Sequence, residues 1–159
     1  MTKVVKVASG QGFWGDWLEA PRRQVEGGQV DYLMLDYLAE VTMSILQKQK
    51  ERDPGMGYAR DFVGAMESVL PAVAERGVKV IANAGGVNPQ ACADAILALC
   101  DRAGVRGRVK IGVVTGDDLL PRLDALLAEG HALRHMETDE PLAAIRDRVL
   151  SANAYIGST

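Results

Sequence analysis

The amino-acid sequence predicts an α/β protein with a Rossmann-like, mostly parallel sheet flanked by helices on both faces. Three observations lead there. Short β-branched runs at residues 4–8, 30–35, 78–82 and 109–115 are apolar at nearly every position, the pattern of strands buried on both sides. Stretches with apolar residues at three- and four-residue steps separate them. The resulting order, β-α-β-α-α-β-α-β-α, calls for right-handed crossovers between parallel strands. The first half of a β/α barrel shares this order and is the alternative architecture.

The elements follow in turn. Residues 37–50 carry Leu38, Val41, Ile45 and Leu46 on one helical stripe, and residues 58–75 do the same with Phe62, Met66, Val69, Leu70 and Val73. The stretch "DPGMG", residues 53–57, breaks the two helices apart. Residues 91–103 and 119–127 read as further helices, and Gly77, Gly104 and Gly130 stand where a left-handed stop is wanted. "GHALRHME" reads as a fifth strand, and residues 141–150 as a last helical segment. The chain then ends on "SANAYIGST" without a closing element, so the expectation is a single α/β domain over 1–159, either cut from a longer protein or a short paralogue of one. A sheet left partly open calls for a partner, either a second copy or the rest of a longer chain.

At 159 residues and 48% hydrophobic, one domain has a real core, since a chain of this size buries roughly 68–70% of its unfolded surface. A net charge of −3 with interspersed signs leaves no basic stripe, which argues against nucleic acid. No apolar run nears the ~20 residues that cross a bilayer, and the N-terminus enters a strand with no signal-peptide core. Neither a membrane span nor export is expected, and the cytoplasm is the expected location. Cys92 and Cys100 share one helical pattern, too far apart along it to bond to each other, and read as reduced, packed thiols.

Ligands of open α/β sheets bind beyond the carboxyl ends of the strands, so the residues after each apolar run carry the functional expectation. They are "SGQGFWGD", "DYLAE", "NAGGVNP" and "TGDDLLP". These connections gather Ser9, Gly10, Gly12, Trp14, Asp36, Glu40, Gly85, Gly86, Asn88, Thr115 and Gly116 as substrate-binding candidates. Asn83, Asp117 and Asp118 are the catalytic candidates. In the first connection Gly10, Gly12 and Gly15 form a literal G-x-G-x-x-G, with Asp36 about 20 positions further on, the spacing of a dinucleotide site. Phe13 and Trp14 are bulky for a surface that meets phosphate, and Pro21 interrupts the helix whose N-terminus should face it. The competing reading is a glycine-rich turn that folds Phe13, Trp14 and Trp17 into an apolar wall.

Asn88 followed by Pro89 reads as an N-cap with proline at the first helical position. That cap leaves Gly85, Gly86 and Asn83 unexplained, and a bound anion, carbonyl or acyl group is a ligand that would use them. One of Asp117 and Asp118 reads as a helix cap, while the pair beside Asp36 has the chemistry to hold a divalent cation such as Mg²⁺. NAD and a divalent cation are thus the cofactors to test. His131 and His135 on a strand would lie about 13 Å apart, too far for one zinc ion, and read as surface residues.

Taken in order, "SGQGFWGD" (residues 9–16), "DYLMLDYLAEVTMSIL" (31–46), "NAGGVNPQACA" (83–93), "VVTGDDLL" (113–120) and "SANAYIG" (151–157) resemble the acyclic terpene utilisation family, the AtuA-like proteins. The resemblance spans nearly the whole chain and corresponds to the N-terminal part of longer family members. It implies a role in bacterial breakdown of citronellol- or geraniol-type compounds through acyl-CoA intermediates. The expected protein is therefore a catabolic enzyme domain that binds a small branched acyl or acyl-CoA-like substrate at the strand ends. The rival expectations are a nucleotide-dependent oxidoreductase using Gly10 to Gly15, and a non-catalytic module that docks on another polypeptide.

Overall fold

The computed structural model describes residues 4–155. The chain divides into two compact units, Met1–Val114 and Thr115–Thr159. In the first unit the order is β1 (Val7–Gln11), α1 (Ala20–Gly27), β2 (Tyr32–Leu35), α2 (Glu40–Arg52), α3 (Arg60–Arg76), β3 (Lys79–Ala82) and α4 (Pro89–Arg102). The three strands form one open parallel sheet in the order β1-β2-β3, a Rossmann-like α/β arrangement.

Each helix begins and ends where its residues require. The Asn88 side chain accepts the Ala91 amide hydrogen at the start of α4, as its position before Pro89 predicts. Gly77 stops α3 at φ 70°, with its N–H on the Val73 carbonyl. Pro21 does not interrupt a helix: it lies in the first turn of α1, where a missing N–H is harmless, and its ring is buried. Helix α1 starts at Ala20, well beyond Gly15.

Two expectations about the strands are corrected. The first strand runs over Val7–Gln11 and not over 4–8, so Ser9 and Gly10 belong to the strand itself. The ladder with β2 decides this: Ser9 pairs with Met34, and Gln11 with Leu35 across a bulge. Gly10 is needed there because a Cβ would meet Leu33 Cδ1 at 3.1 Å and Pro21 Cγ at 3.3 Å. Residues 109–115 form no strand. Val109 and Ile111 pack against the core, whereas Val114 is 90% exposed and without ladder bonds.

Helices α1 and α3 lie side by side over one face of the sheet. Two crossovers of the same hand, running in the same direction along the sheet, deliver their helices to the same side. On that side Ala8, Leu33 and Leu35 are buried with Val25, Val69, Leu70 and Val73, and α4 adds Ile96, Leu99 and Cys100. On the other side Val7 is 67%, Met34 40% and Ile81 57% exposed. Lys79 there donates to the Tyr32 hydroxyl at 3.3 Å. A smaller apolar cluster joins Met43 and Leu46 of α2 to Val87.

The second unit holds α5 (Leu123–Ala128), preceded by a 3-10 turn at Leu120–Arg122, and a longer 3-10 segment at Leu142–Arg148. Arg146 is paired with Asp124 at 2.7 Å, which ties that segment to α5. The expected fifth strand is reduced to a single bridge between Arg134 and Pro141. His135 accepts the Glu137 and Thr138 amide hydrogens on Nδ1, a turn within an exposed stretch. Within "SANAYIG", residues 156 and 157 lie outside the described residues.

Candidate functional site

Three strand ends of the first unit are joined by one hydrogen-bonded set. The Asp36 N–H donates to the Gln11 carbonyl at 3.0 Å, linking the ends of β1 and β2. Asn83, just past β3, accepts the Tyr37 N–H on Oδ1 at 2.8 Å and donates from Nδ2 to Asp36 Oδ1 at 2.7 Å. Asp36 Oδ1 also accepts the Leu38 N–H at 3.3 Å. The Asn83 amide orientation follows from this set, since a flipped amide would put its NH₂ against a backbone N–H. A carboxylate and an amide are thus presented at the carboxyl edge, with Asn83 exposed and Asp36 partly so.

The Gly85–Gly86 turn beside them has a packing reason for each glycine. A Cβ on Gly85 would come within 2.8 Å of Pro89 Cβ. Gly86 sits at φ 52°, and a Cβ there would meet the Leu46 side chain and lie 2.7 Å from the Gly57 carbonyl. The Gly86 and Asn88 amides donate within the turn, to the carbonyls of Asn83 and Gly85. The Asn88 Nδ2 donates to the Pro54 and Met56 carbonyls, so this residue both caps α4 and fastens the 53–57 loop. Lys50 donates to the Val87 carbonyl at 2.7 Å from the end of α2.

The first connection closes on itself. Asp16 accepts the Gly12 N–H at 3.0 Å and the Trp17 N–H at 2.7 Å, and these two bonds, Gly12 first, hold its carboxyl below the usual carboxylate range. The Gly12 amide that a pyrophosphate would approach is therefore already matched to a carboxylate of the loop. Ser9 lies on the uncovered face of β1, with its hydroxyl donating to the Gln11 carbonyl at 3.5 Å. Phe13 and Trp17 are exposed, Trp17 under the Arg23 guanidinium at 4.7 Å. Trp14 alone of the three turns inward, and its Nε1–H donates to Asp61 Oδ2 at 3.0 Å. Glu40 opens α2, exposed, and its carbonyl accepts from Ser44.

Thr115, Gly116, Asp117 and Asp118 belong to the second unit. Asp118 accepts the Leu120 N–H at 3.0 Å, the turn cap expected of one of this pair. Asp117 accepts from Asn153 Nδ2 at 3.3 Å, and the Ala154 N–H donates to its carbonyl. Among the described residues no group of three or more His, Cys, Asp or Glu has metal-binding geometry.

Four groups that pattern reading passed over stand close to this region. Gln11 is 1% exposed with both amide atoms unpartnered, and the Tyr37 hydroxyl is buried and unpartnered among the described residues. Burial, then the Asp61 charge, pushes the Tyr37 phenol far above its usual range. Arg60 and Asp61 begin α3 and line a cavity of about 710 Å³ together with Trp14 and Tyr58. Nothing local in the sequence marks the burial of Gln11, which stands between two glycines, and nothing local marks Arg60. Cys92, pushed up to about 11 by burial, and Cys100, raised for the same reason, are both buried and free.

Fold and edge together define an α/β protein of Rossmann-like type whose polar residues gather at the carboxyl ends of parallel strands. The family described as "Acyclic terpene utilisation family protein AtuA" matches residues 5–159, and the chain belongs to that family. No curated protein and no solved structure matches it. Among the described residues no helix is long and apolar enough to cross a membrane.

Proposed function

We propose that this protein is a bacterial, cytoplasmic enzyme domain of acyclic terpene breakdown, acting on a citronellol- or geraniol-type skeleton. Its substrate is a small branched acyl or acyl-CoA-like compound held at the carboxyl ends of the strands. The observation that carries the reading is membership of the acyclic terpene utilisation family over residues 5–159. The joined strand ends support the location, since Asp36 and Asn83 offer a carboxylate and an amide at one edge. In this reading residues 1–159 work as one domain, the N-terminal portion of a longer protein. Asn83 and Asp36 bind polar groups of the substrate near the Gly85–Gly86 turn. Asp117 or Asp118, both of the second unit, is the proposed acid or base of the reaction.

The nucleotide-dependent alternative is weakened by the Asp16 carboxylate on the Gly12 amide and by the late start of α1. Thermal denaturation separates the two readings. A branched acyl-CoA such as citronellyl-CoA, at about 100 times its Kd, is expected to add about 2.7 kcal/mol of stability and to raise Tm, whereas NAD(H) leaves Tm unchanged. Asp36→Asn and Asn83→Asp are each expected to lower the shift. Once turnover is followed, Asp117→Asn or Asp118→Asn is expected to abolish it with the fold intact. A rise in Tm with NAD(H) alone, or full turnover by both aspartate variants, removes the proposal.

A further inference from the structure

The cavity beside α3 shares Trp14 with the strand-end reading and is otherwise assembled from different elements. Trp14, Leu18 and Glu19 come from the β1–α1 connection, Met56 and Tyr58 from the α2–α3 connection, and Arg60 and Asp61 from the first turn of α3. Its volume of about 710 Å³ falls inside the range of about 300–1,000 Å³ typical of small-molecule sites. The indole of Trp14 is fixed by the bond from Nε1 to Asp61 and packs against both apolar clusters, so one wall is rigid before any ligand arrives.

The charges in this lining are unequally committed. Glu19 is bonded to the Arg22 guanidinium at 3.1 Å, and Asp61 accepts the Trp14 N–H. Arg60 is exposed, and its guanidinium has no ion pair or hydrogen bond among the described residues. A free guanidinium fork matches a carboxylate in shape and charge. With one cation and two carboxylates around the cavity, a polyanion meets repulsion from Glu19 and Asp61, while a single negative charge can be met by Arg60 alone. An ammonium ligand would share Glu19 and Asp61 with the Arg22 and Trp14 donors they already hold, whereas a carboxylate would have Arg60 to itself.

From this we infer a ligand site for an amphipathic organic monocarboxylate, its hydrocarbon against Trp14, Leu18, Met56 and Tyr58 and its carboxylate on Arg60. The site stands independently of the strand-end proposal.

Trp14 and Trp17 are the two tryptophans of the chain, so Trp17→Phe leaves Trp14 as the fluorescent reporter inside the cavity. Trp17 is 55% exposed, and its replacement keeps the aromatic face under Arg23. Octanoate titrated into the full-length Trp17→Phe protein is expected to give a saturable change in Trp14 emission. Octan-1-ol, the same chain without the charge, is expected to bind at least tenfold more weakly. Adding Arg60→Gln is expected to weaken octanoate at least tenfold and leave octan-1-ol unchanged, with the circular dichroism spectrum retained. Equal binding of acid and alcohol overturns the inference, and so does octanoate binding unaffected by Arg60→Gln. Absence of any emission change up to about 10 mM, where an affinity falls below roughly 3 kcal/mol, overturns it as well. If Arg60→Gln fails to fold, Arg60→Lys keeps the charge but loses the fork, and undiminished octanoate binding by that variant refutes the bidentate contact.

Discussion

Asn83 shows how one side chain sets an edge. Its two amide atoms each meet the group they require, a backbone N–H and a carboxylate, and through them β3 is fastened to the end of β2. Tyr37, the residue whose N–H it receives, has the opposite problem: its ring packs edge-on against Phe62 at 5.9 Å, but its hydroxyl is buried without a partner among the described residues. A buried unsatisfied hydroxyl costs about 1–3 kcal/mol, while its ring contributes packing that phenylalanine would keep. Tyr37→Phe is therefore expected to leave stability unchanged or to raise it by about 1 kcal/mol in urea unfolding. A loss of more than about 1 kcal/mol would show that the hydroxyl is satisfied in solution, by an ordered water for instance. The capping role of Asn88 was readable in the sequence because cap and proline are neighbours in the chain. The orphaned Gln11 and Tyr37 were not readable as such, because burial is settled by packing between elements distant in the chain, as Phe62 of α3 on the Tyr37 ring shows.

Among the elements, strand limits were the least legible feature. An apolar run shows that a strand can be buried, but ladder pairing decides where it begins. Hence Ser9 and Gly10, read as the turn after β1, are part of it, and 109–115, read as a strand, is not one. Helices α2 to α4 were legible to within a few residues because apolar spacing and caps agree there. The turns between elements separate two uses of glycine. Gly77 closes α3 at φ 70° with open space where a side chain would stand, so Gly77→Ala is expected to cost only the left-handed penalty of about 1–2 kcal/mol. Gly86 bears the same penalty and also abuts Leu46 and the Gly57 carbonyl, neither foreseeable from its own neighbourhood. Gly86→Ala is expected to cost at least about 3 kcal/mol, since overpacking adds about 1–3 kcal/mol to the conformational term. Parallel chemical denaturation of the two variants measures the difference; equal losses would mean that the 53–57 loop and α2 give way to the added methyl.

At the scale of the whole molecule, apolar burial is distributed very unevenly along the chain. Every residue of both apolar clusters lies before Val114, including the partly buried Val109 and Ile111. The sheet, its covering helices and the joined strand ends lie there too. Among the described residues after Val114, Leu123 is the single buried hydrophobic side chain. The smaller unit is instead supported by polar links, Arg146 to Asp124 and the bridge of Asp118 with Asn153. Exposed ion pairs contribute about 0–1 kcal/mol each, too little to order a segment of this length against its conformational entropy. A polypeptide of residues 1–114 is therefore expected to keep the native near-ultraviolet circular dichroism of its aromatic core and to unfold in one cooperative transition. Residues 115–159 alone are expected to give the spectrum of an unfolded chain. Amide exchange on the full-length protein tests the same division without truncation: Leu33, Leu35 and Leu70 should exchange only through global unfolding, and amides of α5 through a smaller local opening. Collapse of the 1–114 core on truncation, or equal protection of α5 and β2, would show that the core draws on contacts beyond its own residues.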